Sequence, residues 1–161
     1  MISLPLKIGE KIKARKKTSN KWFETQDSIA YWDDFFKPKI VWASVGETQY
    51  SYVTEDFLLL DTNYFFSLGN PFFLLGILNS KLITWWINSE DTAIGSGGAY
   101  RHYKYNIEKL PIPNLKIKDI SELTELVKKK LTSSNTETEI DHKIYKLYGL
   151  NDEEIKFISL Q

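Results

Sequence analysis

Four residues near the middle of the chain, Leu110-Pro111-Ile112-Pro113, constrain its fold more than any others. Proline has no backbone N–H, and it pushes the residue before it away from helical geometry. This stretch is therefore an extended crossing that cannot be helical, and the composition changes across it. Upstream, residues 39–45 read as a buried strand followed by a turn at Gly46. Residues 50–53, 57–60 and 64–68 read as further short strands, rich in aromatic and β-branched residues, with a turn at 61–63. Downstream, residues 120–131, 138–147 and 151–160 read as three helices with a linker at 133–136. Gly149 ends the second of these and Asn151 caps the third.

Other segments fill in around this division. Residues 6–15 have a weak helical pattern, with Ile8 and Ile12 four apart, that starts abruptly. Residues 16–21 read as a polar loop. Asp27 can cap a helix through Ile29, Trp32 and Phe36 that Pro38 stops. Asn70-Pro71 opens a helical stretch in which Phe72, Leu75, Leu78 and Leu82 share a face. Residues 94–99 form a glycine-rich loop, and 100–105 are a strand or extended segment.

With 161 residues, one domain with a small helical lobe is expected. The chain has no cysteine, which removes disulfides and thiolate metal sites and fits a cytoplasmic protein. Its two histidines, His102 and His142, lie far apart, so no metal site is expected. No signal peptide is visible. The longest apolar stretch, 71–87, is interrupted by Gly76, Asn79, Ser80 and Lys81, too polar at its centre to span a bilayer.

The formal net charge is zero, but the charges are segregated. Residues 7–21 hold seven basic side chains and one acid, Glu10, whereas acids gather at Asp33-Asp34, 137–141 and 152–154. Two segments therefore qualify as nucleic-acid surfaces. In Gly95-Ser96-Gly97-Gly98-Ala99-Tyr100-Arg101-His102-Tyr103-Lys104-Tyr105, glycines allow close backbone approach to phosphate, cations contact phosphate, and Arg101 can also read a guanine edge. The other is the basic run Lys11, Lys13, Arg15, Lys16, Lys17 with Asn20 and Lys21. A flexible loop before an amphipathic strand, and a solvated helix end, are the structural alternatives.

Several patterns suggest catalysis and do not sustain it. Asn70-Pro71-Phe72-Phe73 resembles the Asn-Pro-Pro-aromatic motif of DNA amino-methyltransferases, but Phe72 replaces the second proline and no glycine-rich cofactor loop precedes it. It is read as a helix start. Glu154-Ile155-Lys156 is half of a nuclease motif in an expected helix, and Asp141-His142 lies in a surface-type helix. The aromatic cluster of Trp22, Phe23, Tyr31, Trp32, Phe35, Phe36 and Trp42 reads as core.

The order of five segments resembles a known family. These are Lys21-Trp22-Phe23-Glu24-Thr25-Gln26-Asp27, Phe36-Lys37-Pro38-Lys39-Ile40-Val41, Leu74-Leu75-Gly76-Ile77-Leu78-Asn79-Ser80-Lys81-Leu82, Gly98-Ala99-Tyr100-Arg101 and Ile107-Glu108-Lys109-Leu110-Pro111-Ile112-Pro113. Together they are similar to the TaqI-like C-terminal specificity domain, the target-recognition part of adenine-N6 DNA methyltransferases and type IIG restriction-modification enzymes. The closing segment 144–155 also resembles the end of such enzymes. The resemblance implies an α+β fold, with a curved, mostly antiparallel sheet, flanking helices and a C-terminal helical tail. It implies a truncated linker or helix at 1–20, a DNA target-recognition domain at 21–115 and the tail at 116–161.

By position, the resemblance places Lys16, Lys17, Asn20, Lys21, Gly97, Gly98, Tyr100, Arg101, His102 and Lys104 near double-stranded DNA. Trp22, Leu75, Asn79 and Pro111 carry over as scaffold. No catalytic residue and no cofactor are expected in this chain. S-adenosylmethionine belongs to the parent enzyme, whose methyltransferase domain would lie N-terminal to it. The alternative is a protein-interaction or dimerisation module, like half of a type I specificity subunit, using the apolar helix 72–87 or the helical tail and pairing with a partner or a second copy.

Overall fold

Two short runs of aromatic and β-branched residues pair on either side of a buried central strand. In the computed structural model, residues 30–54, 57–67, 70–132 and 137–161 are described. The chain divides into two units, Met1–Trp32 and Asp33–Gln161, and the second carries the fold. A 3-10 helix, Trp32–Phe36, stops before Pro38. Strand β1 (Lys39–Ala43) then lies between β3 (Ser51–Val53) and β4 (Asn63–Ser67), antiparallel to both. Ile40 sits opposite Tyr52 and Phe66, and Trp42 opposite Tyr64. Trp42 is buried with the rings of Tyr50, Tyr64 and Phe66 5.5–5.7 Å from its own, so its reading as core holds. Tyr31, Trp32 and Phe36 remain about half exposed.

A second three-stranded antiparallel sheet has the order β2-β6-β5, formed by β2 (Val45–Gly46), β6 (Ala99–Arg101) and β5 (Thr92–Ile94). Ser44 joins the two sheets. It follows β1 directly, its N–H donates to Thr62 O (2.8 Å), and its carbonyl accepts from His102 N (2.9 Å). The strands expected from sequence are therefore present except at 57–60, which forms no strand.

The apolar stretch from Pro71 is two helices. Helix α1 (Pro71–Leu78) opens with Asn70 at the N-cap and Pro71 in the first turn, which confirms the helix start. Asn79 and Ser80 interrupt it, and α2 (Lys81–Glu90) follows. Ser80 Oγ accepts from Ile83 N (3.3 Å), and Asp141 Oδ1 from across the fold accepts from Lys81 N (3.0 Å). Two of the donors that a helix start leaves unpaired are thus satisfied. Asp141, read from sequence as a surface residue, is buried for this purpose.

A short helix α3 (Lys104–Glu108) precedes the extended 110–116 crossing, as the prolines require. Three helices follow: α4 (Ile117–Thr132), α5 (Glu137–Tyr148) and α6 (Asp152–Ser159). Asn151 caps α6 with a reciprocal pair, Glu154 N to Asn151 Oδ1 (3.0 Å) and Asn151 N to Glu154 Oε2 (2.8 Å). One core runs through the sheet and these helices, with Ile40, Ile77, Leu78, Ile83, Ile87, Leu123 and Ile144 among its buried members. The class is α+β, with six α-helices and two antiparallel sheets among the described residues. No helix among the described residues is long and apolar enough to cross a membrane.

Candidate nucleic-acid interface

Strands β5 and β6 form a hairpin whose tip is the glycine turn. Its register pairs Thr92 with Arg101, Ala93 with Tyr100 and Ile94 with Ala99. The turn needs left-handed backbone at Gly95 (φ 65°) and Gly98 (φ 73°), where a side chain would be strained. A Cβ built at Gly95, Gly97 or Gly98 meets nothing within 4 Å, so the tip stands in open space. The segment read as a loop and then a strand is thus a two-stranded ribbon leading into a helix.

Directly paired residues share a face of a sheet. Arg101 therefore lies in one row with Val45 on β2 and Thr92 on β5, and all three are exposed. Ile94 and Ala99 complete that face. Tyr100 belongs to the opposite face, half-buried against a cleft of about 420 Å³ that Asn79, Trp85 and Asn88 also line. The strand's alternation therefore separates Tyr100 from Arg101, and the single surface expected to hold both is corrected. Beyond the strand, Lys104 is exposed in the first turn of α3 and pairs with Glu108 (3.2 Å). That pair costs little to exchange for a phosphate. Tyr103 and Tyr105 stack beside it (5.2 Å), with Lys109 Nζ 5.1 Å from the Tyr105 ring centroid.

His102 departs most from the sequence reading. It is 2 % exposed, so its side chain is not on the surface. Its Nδ1–H donates to Asp91 Oδ2 (2.7 Å), the tautomer that a carboxylate partner requires. Asp91 Oδ1 accepts from Asn106 Nδ2 (2.8 Å) and from Tyr103 N (3.3 Å), and Asn106 also donates to Glu90 O (3.1 Å). A buried carboxylate is costly unless its oxygens are hydrogen-bonded, and here they are. Its field reaches Tyr50, whose hydroxyl is pushed well above the usual tyrosine range, first by burial and then by Asp91. Sequence reasoning did not find Asp91 or Asn106, because a contact across 11 or 15 residues has no local signature.

Of the remaining expected DNA contacts, Gly97 and Gly98 are at the exposed tip. Lys16, Lys17, Asn20 and Lys21 lie outside the described residues, as does Trp22. Leu75 is buried core, whereas Pro111 is exposed. The helix 72–87, offered as an alternative partner surface, is interior in large part, since Leu75, Ile77, Leu78, Leu82, Ile83 and Ile87 are buried. The glycine turn joins two strands, so it is not the strand-to-helix cradle that holds a nucleotide cofactor. Among the described residues no cluster of three or more metal-ligating side chains occurs.

Residues 7–112, well over half of the chain, match the family described as the TaqI-like C-terminal specificity domain. No curated protein matches the chain.

Proposed function

Since the chain belongs to the TaqI-like C-terminal specificity domain family, we propose that it is the DNA-recognition module of a restriction-modification methyltransferase, reading duplex DNA with the β5–β6 ribbon. The observation that carries this reading is the ribbon itself: it is glycine-tipped and exposed, with Arg101 on its open face. A two-stranded ribbon fits the major groove, where an arginine can make a bidentate contact to guanine. Lys104, and the basic run at Lys16, Lys17 and Lys21 with Asn20, would hold phosphates and fix the register. Gly97 and Gly98 would let the turn approach the backbone closely. The chain supplies recognition and no chemistry. The parent would be an adenine-N6 enzyme of the type IIG kind, its methyltransferase domain N-terminal and using S-adenosylmethionine, in the cytoplasm where its DNA lies. Residues 21–115 would form the reader and 116–161 its helical support.

Binding of the isolated chain to a mixed duplex pool, followed across salt concentrations, tests this. Weak, strongly salt-dependent binding is expected. Arg101→Ala with Lys104→Ala should weaken it about tenfold or more and flatten the salt slope by about one for each phosphate no longer held by a cation. Unchanged binding in that double variant contradicts the assignment of the ribbon.

A second reading has one observation in its favour. Phe57, Leu58 and Leu60 are 56 %, 63 % and 74 % exposed, a surface suited to a protein partner or a second copy. Light scattering showing a dimer that Leu58→Asp and Leu60→Asp dissolve, with no DNA retained, would support it over the first.

A further inference from the structure

We propose that Asp91 is a positioning residue for DNA reading: its buried carboxylate fixes the course of the chain from Arg101 to Lys104. The inference rests on the DNA-recognition reading above and adds the part that aims it. Asp91 directly follows α2, and its own N–H donates to Ile87 O (2.8 Å), so it is tied to a helix whose Leu82, Ile83 and Ile87 are buried in the core. Its two oxygens then gather the residues after Arg101. His102 is held on Oδ2, and the Tyr103 backbone and Asn106 are held on Oδ1. From the other side, Ser44 O accepts the His102 N–H. Arg101 is therefore flanked by a paired strand on each side and followed by a clamped residue. Lys104 leaves the clamp two residues later, in the turn that Asn106 anchors.

An apolar side chain at 91 could fill the same space, and burying a charge is expensive without full pairing. What a carboxylate adds is direction, because it accepts three donors at fixed angles. Bidentate contact with a base edge needs that, since a supporting group must hold the reading side chain to within roughly half an ångström. Phosphate contacts tolerate more displacement, because they act mainly through charge. Loosening the clamp should thus cost discrimination between sequences and leave general affinity for DNA in place.

The test uses the full chain and a duplex selected by it from a randomised pool, compared with a scrambled duplex of the same composition. Asp91→Asn keeps the shape and offers one acceptor oxygen where there were two. It is expected to lower the ratio of the two affinities by roughly tenfold or more, one bidentate contact's worth, with affinity for the scrambled duplex and its salt slope unchanged. In an Arg101→Ala background the ratio is already low, and Asp91→Asn should lower it no further. A wild-type ratio in Asp91→Asn, or an equal additional loss in the Arg101→Ala background, overturns the proposal. If Asp91→Asn does not fold, His102→Gln and Asn106→Ser each remove one arm, and an unchanged ratio in both overturns it. A wild-type chain with no sequence preference contradicts the DNA-recognition reading instead. Amide exchange at residues 99–104 of the unbound protein then still tests the clamp: faster exchange in Asp91→Asn supports it, and identical exchange refutes it.

Discussion

Asn79 stands where the chain breaks between α1 and α2, and it fastens that break to the sheet. Its Oδ1 accepts from Tyr50 N (2.9 Å) and its Nδ2 donates to Tyr50 O (2.8 Å), a two-pronged copy of a strand pairing. Asn79→Ala leaves both Tyr50 groups unpaired. A loss of about 2–4 kcal/mol is expected in urea unfolding. Asp141 is a second case at this scale. Burial raises its carboxyl above the usual aspartate range, and the Lys81 N–H opposes that more weakly. A raised folded-state value means the native protein holds the proton more tightly than the unfolded chain. Ionising Asp141 therefore costs stability, a cost absent at low pH that grows as pH rises through the ordinary and then the raised value. Asp141→Asn keeps an acceptor for Lys81 N and cannot ionise, so its melting temperature should exceed wild type at pH 7 and converge with it near pH 3. Asp141→Ala loses the acceptor but also cannot ionise, so it should be destabilised by about 1 kcal/mol near pH 3 and by less at pH 7. Asn79 stood in a motif visible in the sequence, but Asp141 did not. A carboxylate on a polar helix looks solvated until the helix it caps, 60 residues away, is in view.

Helices α1 and α4 approach each other through Gly76. A Cβ built there comes within 2.6 Å of Val127 Cγ2 and 3.4 Å of Leu123 Cδ1. Val127 is buried and β-branched, so its side chain cannot swing aside in a helix. Gly76→Ala should therefore destabilise by about 1–3 kcal/mol, against up to ~1 kcal/mol gained in helix propensity, as urea unfolding would measure. This close approach gives a physical reason for the glycine inside the Leu74-Leu75-Gly76-Ile77-Leu78 run. Periodicity found that helix but not its division, because Phe72, Leu75, Leu78 and Leu82 keep helical spacing across a break made by the Asn79 and Ser80 side chains. At 57–60 the pattern misled in the other direction. The continuous apolar run Phe57-Leu58-Leu59-Leu60 had strand character, yet β1 already has β3 and β4 as neighbours, and the segment pairs with neither sheet.

The fold places the ribbon proposed to read DNA at one end of an antiparallel system that changes sheet at Ser44. Sheet β3-β1-β4 and the helices build the core, and sheet β2-β6-β5 carries the ribbon outward from it. The class, the C-terminal helices, their caps and the position of the glycine-aromatic-basic segment were legible in the sequence, because propensity, capping and periodicity are local. The sidedness of that segment was not. Whether Tyr100, Arg101 and His102 face one way depends on strand alternation and on a buried carboxylate at position 91, which only the folded chain brings together. His102 accordingly moved from the expected surface to the clamp beneath it. The most direct test of the ribbon as the reading element is amide hydrogen exchange of the full chain with and without duplex DNA. Protection concentrated at residues 92–104, with α5 unchanged, is the predicted result. Protection confined to residues 57–60 or to the helices, with the ribbon unaffected, would contradict it.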